Sequence, residues 1–212
     1  MVITWNGYGR LEIVSKPVMG EVTLVTNPFG DALGKVKSSA ASLVIQSHEG
    51  LDTAGFKGIE PEHPEDGRKV FLINHAGEYE VQGVSVNGGM VKLKSGEAHT
   101  VYRIDTEGIK LGFLGALDRH LTEPELEKLG AVDILFCPAG GGKVLTPEQA
   151  AAVIMEIEPR IVVPIYVDGE GFGSADVLGR ALGIVPERVT KFKIQKSGLP
   201  LEDLQLVILE KS

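Results

Sequence analysis

The sequence has almost no cysteine, no long apolar run and a deficit of positive charge, and each shortage excludes a class of protein. The single cysteine, Cys137, leaves no intramolecular disulfide to form, and its setting in Ile134-Leu135-Phe136-Cys137 is that of a small buried thiol. No segment approaches the ~20 consecutive apolar residues that span a bilayer. Met1-Val2-Ile3-Thr4-Trp5 also lacks the basic start of a secretion signal, so a cytoplasmic protein with no membrane partner is expected. Lys and Arg number 21 against 29 Asp and Glu, a formal net charge of -8, and a surface of that sign repels a phosphate backbone. Nucleic acid is therefore not an expected partner. What is present, 212 residues with 43% hydrophobic content and 27 glycines, suffices for one substantial core and is short for two, so residues 1–212 are read as a single domain.

Residues 2–6 and 10–14 read as a β-hairpin whose turn is freed by Gly7 and Gly9. Residues 21–26 form a strand that ends at Asn27-Pro28, because Pro28 has no amide proton for a ladder. Residues 43–47 form a buried strand. From Asp52 to Arg68 the sequence is rich in Gly, Pro and acids and has no period, so it reads as an irregular loop with His63 on its surface. Strands over 69–73, 78–86, 100–105 and 109–114 follow with no helix between them, which makes the middle third antiparallel sheet.

The pattern then changes. Thr122, Pro124 and Glu125 spell a capped helix start, with Gly130 as its stop. Thr146-Pro147-Glu148-Gln149 repeats the signal for a helix to about Ile157, and Ser174 is read as the cap of a third, to about Leu182. Apolar strands at 132–136 and 161–164 alternate with these helices, and strands near 190–195 and 204–209 close the chain. The order implies a mixed α/β (α+β) architecture, with one mixed sheet or two sheets flanked by helices. Gly140-Gly141-Gly142-Lys143 lacks the spacing and the Ser or Thr of a phosphate loop and reads as a plain loop. Gly169-Glu170-Gly171-Phe172-Gly173 reads as a mobile loop before Ser174, with a lid at the edge of a pocket as the second reading.

Chemistry is expected in Ser47-His48-Glu49-Gly50-Leu51-Asp52-Thr53, a loop at the end of a buried strand. That loop, together with Val2-Ile3-Thr4-Trp5, Gly77-Glu78-Tyr79-Glu80, Leu114-Gly115 and Glu158-Pro159-Arg160-Ile161-Val162-Val163-Pro164, resembles the metallo-β-lactamase-fold superfamily. Within it the chain is most similar to the small metal-dependent hydrolases that include ascorbate-6-phosphate lactonase-like proteins. The resemblance implies a four-layer αββα sandwich with its site at one edge of the two sheets, and hydrolysis dependent on zinc or another divalent metal.

It also implies a His-x-His-x-Asp-His loop, and here the pattern breaks. His48 and Asp52 persist, while Gly50 stands at the second His and Thr53 at the last. By the same resemblance Ala116 stands at a bridging aspartate, Tyr166 at a late histidine, Tyr8 at a histidine of the N-terminal turn, and Asn27 at an aspartate. Two ligands fall short of the three that a catalytic zinc site requires, and tyrosine and asparagine do not restore a tight site. No metal is expected; if one is held, His48 and Asp52 hold it. His75, His99 and His120 have no ligand spacing and read as surface or satisfied histidines. The expectation is a pseudo-hydrolase whose old site, with His48 bonded to Asp52 or a carbonyl, binds a small molecule or a protein. The alternative is an active hydrolase of lactones or phosphoesters with a mono-metal or metal-free site, His48 acting as base and Asp52 orienting it. A homo-oligomeric scaffold is a third reading.

Overall fold

The computed structural model describes residues 1–29, 38–48 and 58–211. β1 (Val2–Gly7) and β2 (Arg10–Ser15) form the expected hairpin, with Ile3 opposite Ile13 and Trp5 opposite Leu11, all four buried. β3 (Val22–Thr26) pairs antiparallel with β2 and stops before Pro28, and β5 (Leu43–Ile45) lies parallel to β3. β7 (Phe71–Ile73) lies parallel to β5, and β15 (Phe192–Lys193) pairs with the other side of β1. These six strands make one sheet, in the order β15-β1-β2-β3-β5-β7.

The second sheet begins as an antiparallel meander of β8 (Gly77–Val81), β9 (Val84–Lys92), β10 (Ala98–Thr106) and β11 (Ile109–Phe113). It continues in parallel through β12 (Ile134–Pro138), β13 (Ile161–Ile165), β16 (Gln205–Leu209) and β14 (Glu187–Val189). β12 and β13 are buried along their whole length, which explains their unbroken apolar sequence. Side chains from both sheets, among them Trp5, Leu11, Ile45, Tyr102, Phe113 and Phe136, join in one core.

α1 (Glu123–Leu129) packs on β9 and β10, and α2 (Pro147–Ile157) on β12 and on α3 (Asp176–Leu182). Both expected capping boxes form. Thr146 Oγ1 accepts from Gln149 N at 3.3 Å while Gln149 Oε1 accepts from Thr146 N at 3.1 Å. In α1, Glu125 accepts from Thr122 N at 2.8 Å and from both terminal nitrogens of Arg119, at 2.7 and 2.9 Å. The Arg119 guanidinium holds the Glu125 carboxyl down to about 2. A ribbon of β4 (Ser39–Ala41) and β6 (Ile59–Pro61) closes a second small core of Val25, Ala41, Val44 and Ile59. The result is the mixed α/β sandwich expected. No helix among the described residues is long and apolar enough to cross a membrane.

Five local readings differ. The stretch 58–68 is not wholly irregular, since it holds β6 and a 3-10 turn at Pro64–Asp66. The span 78–86 is two strands folded back at Gln82 and Gly83, both at positive φ, of 51° and 81°. β7 leaves the antiparallel middle third for the other sheet, and the strand read near 190–195 is only β15, in the first sheet, preceded by the unread β14 in the second. Ser174 lies one residue before the cap of α3: its Oγ accepts from Asp176 N at 3.3 Å, while Asp168 Oδ1 accepts from Ala175 N at 3.2 Å.

Candidate functional site

The β1–β2 turn and the ends of β3, β5, β11 and β13 converge at one edge of the sandwich. Three residues that leave these elements hold left-handed backbone conformations: Tyr8 at φ 51°, Asn27 at φ 36° and Tyr166 at φ 53°. Such conformations cost ~1–3 kcal/mol each and gather where a structure needs a side chain aimed against local preference.

Asn27, 1% exposed, is the hub. Its Oδ1 accepts from Ser47 N at 2.8 Å, and its Nδ2 donates to Ser47 Oγ at 2.8 Å and to the Tyr166 hydroxyl at 3.2 Å. Tyr166 N donates in turn to Tyr8 O at 3.0 Å. Gly9 makes room for the Tyr166 ring, since a Cβ there would lie 2.7 Å from the phenol oxygen. Burial pushes the Tyr166 phenol up to about 12, against a smaller opposing pull from the Asn27 bond.

Ser47 Oγ, which accepts from Asn27, also lies 3.3 Å from His48 Nδ1 and ties that ring to the network. Burial lowers the His48 pKa, with Glu97 pulling the other way. His99 lies against it, ring centroids 5.7 Å apart. His99 Nε2 donates to Leu114 O at 2.9 Å, and its Nδ1 is buried with no partner.

Burial is the main cause that lowers the His99 pKa to about 4. An unfolded histidine titrates near ~6.5, so below that pH the unfolded chain binds the proton the folded one refuses. The stability His99 contributes is whole above about pH 6.5 and is lost as pH falls toward 4, about 3 kcal/mol across that window. Urea unfolding at about pH 5 and pH 7.5 is expected to show this fall, and His99→Gln, whose amide nitrogen can take the place of Nε2 as the donor to Leu114 O, to reduce it. The Glu125 pair weakens only in stronger acid, outside the window.

Above this network opens a pocket of about 810 Å³. Tyr8, His48, Ala116 and Tyr166 line it, with Asn27 buried beneath. Gly50, Asp52 and Thr53 lie outside the described residues. The two glycine-rich loops read from sequence as plain or mobile both contribute to the wall, through Gly142 and Lys143 and through Glu170, Gly171 and Phe172. Phe172 meets Tyr8 and Tyr166 edge to face, at 6.0 and 5.6 Å. Sequence reasoning missed Leu93, Glu97 and Asp118, and it missed that His99 lies beside His48. The pairing that brings His99 there is Thr100 N to Ser47 O at 2.6 Å, a contact across two sheets that no spacing rule signals. His75 is exposed, as is His120, which pairs with Glu156 at 3.1 Å.

A divalent ion needs several converging imidazoles and carboxylates. The described residues at the pocket do not supply them: Ala116 offers no donor, and the Asn27 amide and Tyr166 phenol are already bonded to one another. Among the described residues, the group whose ligand atoms lie within 4.8 Å of one another is His63, Glu65 and Asp66, all exposed and none of them lining the pocket.

Comparison with known proteins adds the lineage. The model of the beta-lactamase superfamily domain matches residues 3–166. A UPF0173 protein of Pyrococcus abyssi is 26% identical over 208 residues, covering 86% of this chain and 90% of its own. A Thermotoga maritima protein assigned to the Zn-dependent hydrolases of the metallo-β-lactamase superfamily superposes with a TM-score of 0.76 at 24% identity, over 99% of this chain and 98% of that one. A metallo hydrolase of Ignicoccus hospitalis superposes at 0.62 with 14% identity, over 92% and 99%. The two superpositions speak to the fold.

Proposed function

The chain belongs to the beta-lactamase superfamily domain family, and from that premise we propose that it is a pseudo-hydrolase, a member whose metal centre has been dismantled and whose pocket now binds a small molecule. The observation that carries this reading is the closed network of Asn27, Ser47 and Tyr166, which occupies with neutral, mutually satisfied groups the ground where ion ligands would converge. The Tyr166 hydroxyl is instead engaged by Asn27 Nδ2 at 3.2 Å, and burial raises its pKa. Without an ion to lower the pKa of water, attack on a lactone or a phosphoester would depend on a general base alone. His48, which lines the pocket, serves in this reading as a polar contact for the bound molecule.

The test is turnover. A panel of lactones and phosphoesters, with and without added zinc, is expected to show only the uncatalysed rate. Turnover that disappears in His48→Ala would overturn the reading and favour a hydrolase with His48 as its base.

A further inference from the structure

The pocket wall is unevenly charged. Glu97, Asp118 and Glu170 bring carboxylates to it and Lys143 brings the one cation among the described lining residues, a bias well beyond the chain's overall 29 acids to 21 bases. Two of the carboxylates are fixed in place. Asp118 accepts from Lys94 N with both oxygens, at 3.0 and 3.2 Å, and Glu97 accepts from Ser95 Oγ at 3.0 Å. The turn that carries Glu97 is itself closed by Leu93 N to Glu97 O at 3.0 Å.

One further observation is independent of that charge. Part of the wall is aromatic, built from Tyr8, Tyr166 and Phe172. Carboxylates and ring faces favour the same partner, a cationic N–H donor attached to an apolar body.

We infer that the pocket takes a small organic amine or guanidinium with an aromatic or apolar body, its charged head toward Glu97 and Asp118 and its body against Phe172. This rests on the reading of the pocket as a ligand site.

Three probes of matched shape test it by calorimetry near neutral pH and low salt: 2-phenylethylamine, 2-phenylethanol and 3-phenylpropionate. The amine is expected to bind at least about tenfold more tightly than the carboxylate, and Glu97→Gln with Asp118→Asn to bring it to the level of the alcohol. Asp118→Asn keeps an acceptor for Lys94 N, and an unchanged thermal midpoint verifies that the double variant is folded. Phe172→Ala is expected to weaken the amine and the alcohol alike. A carboxylate that binds as well as the amine would overturn the charge class and leave the ligand-site reading standing. No binding of the amine, or binding unchanged in the double variant, would overturn the inference. Failure of the underlying reading registers separately, as His48-dependent turnover.

Discussion

Asn27→Ala is expected to lower the free energy of unfolding by about 3 kcal/mol, measured by urea denaturation near neutral pH, since each buried group left unpaired costs ~1–3 kcal/mol. The substitution removes the acceptor of Ser47 N and the donor to the Tyr166 hydroxyl, and both groups remain buried. It also leaves alanine at φ 36°, where asparagine is tolerated far better. Tyr166→Phe removes one end of the same bond and is expected to cost about 1 kcal/mol. Because the double variant no longer strands the phenol, its loss should fall short of the sum of the two, and that shortfall measures the coupling. Strictly additive losses would mean that Asn27 and Tyr166 do not act as one unit.

Gly140→Ala is expected to be as damaging, about 3 kcal/mol, the upper end of the ~1–3 kcal/mol typical of overpacking, because the backbone atom it meets cannot yield as a side chain would. A Cβ at this position would lie 2.0 Å from the backbone oxygen of Tyr166 and 2.7 Å from Phe172 Cβ. The backbone of one pocket loop must move, so the variant should also lose affinity for the amine probe. Gly141→Ala is the control. Nothing lies within 4 Å of a Cβ there, but its φ is 73°, and the expected loss is the ~1 kcal/mol of a left-handed alanine. Equal losses at the two positions would mean that backbone strain, not the close approach of the loops, governs this corner of the molecule.

The elements readable from the sequence are those whose signals are local. The capping boxes at Thr122 and Thr146, the unbroken apolar runs of β12 and β13, and Pro28 after β3 each state an end or a face through neighbouring residues. The elements that were misread depend on partners far along the chain. Phe71-Leu72-Ile73 has the same local pattern whether it joins the meander or lies parallel to β5, and only the fold decides. The Gln82-Gly83 turn is hidden because glutamine seldom takes positive φ. At the site, resemblance led to Tyr8, Asn27, Ala116 and Tyr166, and it gave no hint that Asn27 and Tyr166 are bonded to each other. Glu97, Asp118 and Phe172 belong to loops from three parts of the chain, and their common wall is a product of tertiary structure alone.

The central claim is that the ancestral ion site has been replaced by the Asn27–Ser47–Tyr166 network, and metal content tests it most directly. Protein purified without chelator, loaded with zinc and passed through gel filtration, should carry well under one ion per chain by elemental analysis, with any residual ion removed by His63→Ala at the exposed trio. One ion per chain that survives His63→Ala and is lost in His48→Ala would contradict the account.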